Sequence, residues 1–100
     1  MDYKTIKNKK NFLEGPIPLI WFTKATKLPG KALHVALALW YLAGLENSGE
    51  VYLSNRLINI FGVERHAGYR ALKALEGAGL VSVQRHQGLS PRVRILEVRE

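Results

Sequence analysis

Cysteine is absent from the 100 residues, which excludes disulfide staples and every metal or nucleophilic site that needs a thiolate. Acidic residues are scarce and scattered, eight against fifteen Lys and Arg, so no pair of carboxylates is placed for acid-base work. His34, His66 and His86 lie far apart, without metal-ligand spacing. A phosphate-cradling glycine loop and a nucleophile elbow are both missing. No enzyme, metal or cofactor is therefore expected. The longest apolar run, Ala32 to Gly44, is broken by His34 and is too short to span a bilayer. The N-terminus is basic but lacks the apolar segment and small-residue cleavage site of a secretory signal. The expectation is a cytoplasmic protein with no membrane partner and no small-molecule ligand.

What the chain does have is apolar content of 47% and a net charge of +7, enough for one small core with little room for a cleft. The charge is concentrated in two zones. Residues 1–31 carry seven lysines against Asp2 and Glu14, and residues 62–94 carry six Lys and Arg against Glu64 and Glu76. Two basic zones flanking a near-neutral middle suit a polyanion, the footprint of a nucleic-acid binder.

Residues 1–15 have no apolar periodicity until Phe12 and Leu13 and read as a flexible basic arm, with Lys7, Lys9 and Lys10 as its phosphate contacts. Residues 16–100 form the folded domain. Pro18 sits well for the first turn of a short helix over Leu19–Lys27, which Leu28, Pro29 and Gly30 end. A helix over residues 31–45 is apolar nearly all round, with Leu33, Ala36, Leu37, Trp40 and Gly44 on one face and Val35, Leu39 and Leu42 on others. Such a helix must be covered on several sides. His34 on it is expected to be a satisfied core or interface residue. The surplus apolar surface suggests a homodimer through Leu19, Trp21, Phe22 and Leu39. Glu46 to Glu50 reads as a turn, and Val51-Tyr52-Leu53 as a short strand able to pair with a later hairpin.

A further helix begins at Ser54, whose hydroxyl can cap Arg56 or Leu57, and carries Leu57, Ile58 and Phe61 inward. Gly62 stops it, and Val63 plugs the gap before a helix starting near Glu64. There Val63, Ala67, Ala71, Leu72 and Leu75 make an apolar stripe, leaving Arg65, His66, Tyr69, Arg70 and Lys73 for a partner. Gly79 and Leu80 fit a Schellman ending that closes on Leu75. Val81 and Val83, then Val93 and Ile95, alternate with polar residues as two strands, joined through His86 to Pro91.

The run Gly62-Val63-Glu64-Arg65-His66-Ala67-Gly68-Tyr69-Arg70-Ala71-Leu72-Lys73-Ala74-Leu75-Glu76-Gly77-Ala78-Gly79-Leu80-Val81 resembles the recognition-helix segment of bacterial winged helix-turn-helix DNA-binding proteins. The Gly-Val turn, the Tyr-Arg-Ala-Leu centre and the Ala-Gly-Leu-Val exit carry the likeness. It implies a mainly α fold with a small β-hairpin, here with an extra N-terminal helix. It also implies sequence-specific binding of double-stranded DNA by a nucleoid-associated transcriptional regulator. By position, base reading falls to Arg65, His66, Tyr69 and Arg70, and backbone contact to Ser54, Lys73, Arg85, Arg92 and Arg94. The alternatives are a winged-helix protein-interaction module, or a plasmid or phage replication or partition protein. Two positions depart from the family pattern. Ile58 stands where a small residue is usual and Gly68 where Val or Ile is usual, and the exchange would conserve volume between the two helices.

Overall fold

The computed structural model describes residues 16–98; the basic arm over residues 1–15 and the last two residues lie outside them. The chain runs α1 (Leu19–Thr26), α2 (Ala32–Glu46), β1 (Glu50–Tyr52), α3 (Asn55–Ile60), α4 (Arg65–Gly77), β2 (Val81–Gln84) and β3 (Arg92–Ile95). The described residues are thus mainly helical, with a small antiparallel sheet ordered β1-β3-β2. Val93 of β3 lies between Val51 of β1 and Val83 of β2, all on the inner face. Glu50, Ser82 and Arg94 share one rung of the outer face. The period-two pattern in the last two strands therefore sets their inward side as expected.

Two helix endings decide how the helices are joined. After α3, Gly62 adopts a φ of 78°, its N–H bonds the Asn59 carbonyl, and the Val63 N–H bonds the Ile58 carbonyl. After α4, Gly79 has a φ of 77° and the pair of bonds recurs, from Gly79 to Glu76 and from Leu80 to Leu75. Both are Schellman motifs, which need a left-handed residue that glycine supplies without steric cost. Each motif drives the next apolar side chain, Val63 or Leu80, into the core, where both are buried. At the other end of α3 the Ser54 hydroxyl accepts from the Leu57 N–H at 3.1 Å. Pro18 sits one position before the first helical residue of α1, as its N-cap.

α2 is the hub, packing against α4, α1, β1 and α3. Its buried side is Ala32, Val35, Ala36, Ala38 and Leu39, whereas Leu33, Leu37 and Trp40 are only half-buried. A helix apolar on every side does not mark its core face in the sequence, and the packing of the other elements selects it. His34 falls opposite the buried stripe and is exposed, not satisfied in a core.

Two of the four residues expected at a dimer interface belong to the chain's own core. Trp21 is 1% exposed and Leu39 fully buried. Trp21 packs edge-on against Trp40 at 5.5 Å and donates its Nε1 hydrogen to the Leu80 carbonyl at 3.1 Å. A small domain has too few large side chains to leave such a residue outside its core. Leu19, 78% exposed, and the half-buried Phe22 remain at the surface.

Gly68 is buried on α4, and a Cβ built there would overlap Ile58 Cδ1, while its other neighbours, Val63 Cγ1 at 3.7 Å and Ile58 Cγ1 at 3.8 Å, are at ordinary contact. The long isoleucine on α3 thus occupies the volume that the glycine leaves empty. Gly68→Ala alone should destabilise by about 1 kcal/mol, the overpacking exceeding the gain in helix propensity. With Ile58→Val, which removes only the obstructing carbon at a cost of about 0.5–1.5 kcal/mol, the same Gly68→Ala should instead stabilise by about 1 kcal/mol. Urea unfolding of the four proteins measures the coupling. Additive effects would mean that the two residues do not share this space.

Candidate nucleic-acid interface

α4 turns Leu72, Leu75, Ala71 and Gly68 into the core, and its 3.6-residue period then places Arg65, His66, Tyr69, Arg70 and Lys73 outward, where all five are exposed. No acidic residue lies in its first turn, and Glu64 as N-cap makes no side-chain cap bond. The Arg65 guanidinium carbon sits 5.9 Å from the Tyr69 ring centroid, a cation-π distance that holds two of these side chains together.

Beside this face lies a cleft of about 550 Å³. One wall is α4, through Arg65, Gly68 and Tyr69; the other is the β2–β3 loop from His86 to Pro91, and Asn55 of α3 also lines it. The structure thus brings Arg65 and Tyr69 together with the tip of the hairpin. Asn55 and Leu89, which line the same cleft, were not singled out from the sequence. Neither carries charge or periodicity, and only the loop's return toward α4 reveals them.

None of Arg85, Arg92 or Arg94, the hairpin residues to which the resemblance gives backbone contact, lines that cleft. Arg92 and Arg94 stand on the outer face of the sheet, and both are paired with Glu50. Arg94 Nε donates to Glu50 Oε1 at 2.9 Å, and Arg92 Nη2 donates to Oε2. These hydrogen bonds, that from Arg92 first, hold the Glu50 carboxyl below the usual glutamate range. Arg85 pairs with Glu76 at 3.2 Å. All three pairs are substantially exposed, so they are weak enough for a competing anion to displace. Sequence reasoning anticipated neither of these acidic partners, Glu50 or Glu76. The sequence predicts a strand over residues 51–53 able to pair with the hairpin and puts Glu50 in the preceding turn; instead Glu50 opens β1, in a register that sets it opposite Arg94.

Lys73 is exposed on α4. Ser54 is half-buried, its oxygen engaged as the cap of α3; its hydroxyl hydrogen is still able to donate. Lys7, Lys9 and Lys10 lie outside the described residues. Among the described residues no group of three His, Asp or Glu is placed to hold a metal ion, and no helix is long and apolar enough to cross a membrane.

A second depression, of about 680 Å³, lies between Trp21, Trp40 and the chain after β3. The buried Nε1 of Trp40 has no hydrogen-bond partner among the described residues. Comparison of the chain with protein-family models, curated protein sequences and solved structures gave no match.

Proposed function

We propose that this protein is a winged helix-turn-helix that binds double-stranded DNA sequence-specifically and acts as a transcriptional regulator. In this reading α3 and α4 are the helix-turn-helix, β2 and β3 with their loop are the wing, and α1 is the additional helix. The order of elements and the β1-β3-β2 sheet support it. The observation that carries it is the exposed face of α4, with Arg65, His66, Tyr69, Arg70 and Lys73 set beside a cleft whose far wall is the hairpin loop. A helix of this width fits the major groove, and a sugar-phosphate strand occupying the cleft would separate the helix from the loop. An interaction module for proteins is less well served by a solvated cationic face than by an apolar one.

One recognition helix reads only a few base pairs, so two copies on neighbouring half-sites are part of the proposal. With Trp21 and Leu39 inside the core, the pairing surface has to be built from side chains such as Leu19 and Phe22.

The test separates roles by position. Arg65→Ala and Arg70→Ala should each lose about 1–3 kcal/mol at a preferred site and relax the base preference there, since a guanidinium pairs bidentately with guanine. Lys73→Ala should weaken all sequences alike, as loss of a phosphate contact does. Selection of bound fragments from random duplexes, followed by affinities for each variant, measures both. Lys73→Ala changing the preferred base while Arg70→Ala leaves it intact would overturn the assignment of α4 as the reading helix.

A further inference from the structure

The β2–β3 loop is unusual for a basic chain, because its tip carries neither Lys nor Arg. Between Arg85 and Arg92 the sequence is His-Gln-Gly-Leu-Ser-Pro; His86 and Gln87 are exposed, and the large apolar side chain displayed beside them is Leu89, 70% exposed. This display is built. The Leu89 N–H bonds the His86 carbonyl at 3.1 Å, closing a tight turn, and the Leu53 N–H bonds the Pro91 carbonyl at 3.0 Å, fixing the base of the loop to the end of β1. Gly88, with a φ of 77°, is the turn residue immediately before Leu89. Ser90 and Pro91 are half-buried, so the leucine stands out from a fixed support.

We propose that Leu89 is an apolar wedge that enters a base step of bound duplex DNA from the minor groove and kinks it. The proposal rests on the DNA-binding reading of α4 and goes beyond it. Leu89 lines the cleft opposite Arg65 and Tyr69. With α4 in the major groove and one strand in the cleft, the side chain on the far side of that strand faces the minor groove, since one backbone is what separates the two grooves. An electrostatic wing would place Lys or Arg there. A leucine cannot neutralise phosphate, but it does what apolar side chains do in minor grooves, slipping between neighbouring bases and opening the step toward the major groove. Pyrimidine-purine steps, which unstack most easily, are its targets. Leu89 thereby selects for deformable sequence without a hydrogen bond to any base.

The experiment uses the full chain and duplexes of about 25 base pairs with a central TA or CA step, 2-aminopurine at that step and a dye at each end. Binding at low salt should raise the 2-aminopurine fluorescence several-fold and shorten the dye separation by the amount a bend of about 20–90° produces. Leu89→Ser, a change at an exposed position that leaves the fold intact, should bind with the same salt dependence and abolish both signals. Leu89→Met should keep them. Wild-type binding with neither signal, or both signals persisting in Leu89→Ser, would overturn the wedge and leave DNA binding standing. Absence of duplex binding by the wild type would overturn both.

Discussion

Raising salt from about 50 to about 200 mM will weaken duplex binding about 10³- to 10⁴-fold, the fall expected for six to eight phosphate contacts and a log-log slope of about −5 to −7. Arg65, Arg70 and Lys73 are exposed and pair with no acidic residue among those described. The other cations of the second basic zone are held by Glu76 and Glu50, and they add to the slope only where phosphates displace these carboxylates. On the proposed DNA-binding reading, Glu50 is an internal competitor for the DNA backbone. Glu50→Gln should bind more tightly at low salt and steepen the slope by about one to two as Arg92 and Arg94 become available. Protonating the Glu50 carboxyl should give the same contrast, but only far below neutrality. Because the folded protein holds the Glu50 carboxyl below its ordinary range, its ion pairs stabilise the fold above the unfolded value. They are lost only as pH falls through the lowered folded value. Around neutrality the clamp is closed, and binding should not respond to pH through this group. A salt slope near zero would remove the case for a polyanionic partner. Equal slopes for wild type and Glu50→Gln would show that Arg92 and Arg94 take no part.

The parts of the fold that were legible in the sequence are those fixed by local rules. Ser54 caps α3 because a hydroxyl at that position reaches the third N–H along. Gly62 and Gly79 end their helices because the left-handed position admits few other residues. Val81, Val83, Val93 and Ile95 turn inward because a strand alternates. The exchange of volume between Ile58 and Gly68 was also legible, through the family resemblance, since two unusual residues fell in helices expected to touch. What failed was non-local. α2 has apolar residues on every side, so His34 could not be placed from its neighbours. The burial of Trp21 depends on Leu80, fifty-nine positions away, and the pairing of Glu50 depends on a strand more than forty residues later. The candidate site divided along the same line. The outward residues of α4 follow from helical periodicity, whereas the cleft, and Leu89 and Asn55 in it, exist only once the hairpin loop lies beside that helix.

The placement of Trp21 leads to the largest expected effect on stability. Trp21→Ala should cost about 3–5 kcal/mol, the range for deleting a fully buried aromatic, and lower the melting temperature by on the order of 20 °C. Against the 5–15 kcal/mol that holds a domain of this size together, such a loss brings it close to unfolding. The hydrogen bond is a small part of that loss. The Leu80 carbonyl that accepts from Trp21 also accepts from the Leu96 N–H at 2.9 Å, so removing the indole leaves no orphaned acceptor, and the bond contributes only about 0.5–1.5 kcal/mol. Trp21→Phe, which keeps most of the volume, should therefore cost less than half as much as Trp21→Ala. Leu19→Ser, two residues earlier on the exposed side of α1, should leave the melting temperature within experimental error while weakening any association that uses this surface. Thermal melts and sedimentation across a concentration series separate the two roles. Were Trp21→Ala to melt like the wild type but dissociate a dimer, the indole would belong to an interface; a large loss of stability at unchanged mass places it in the core that α1, α2 and the turn after α4 share.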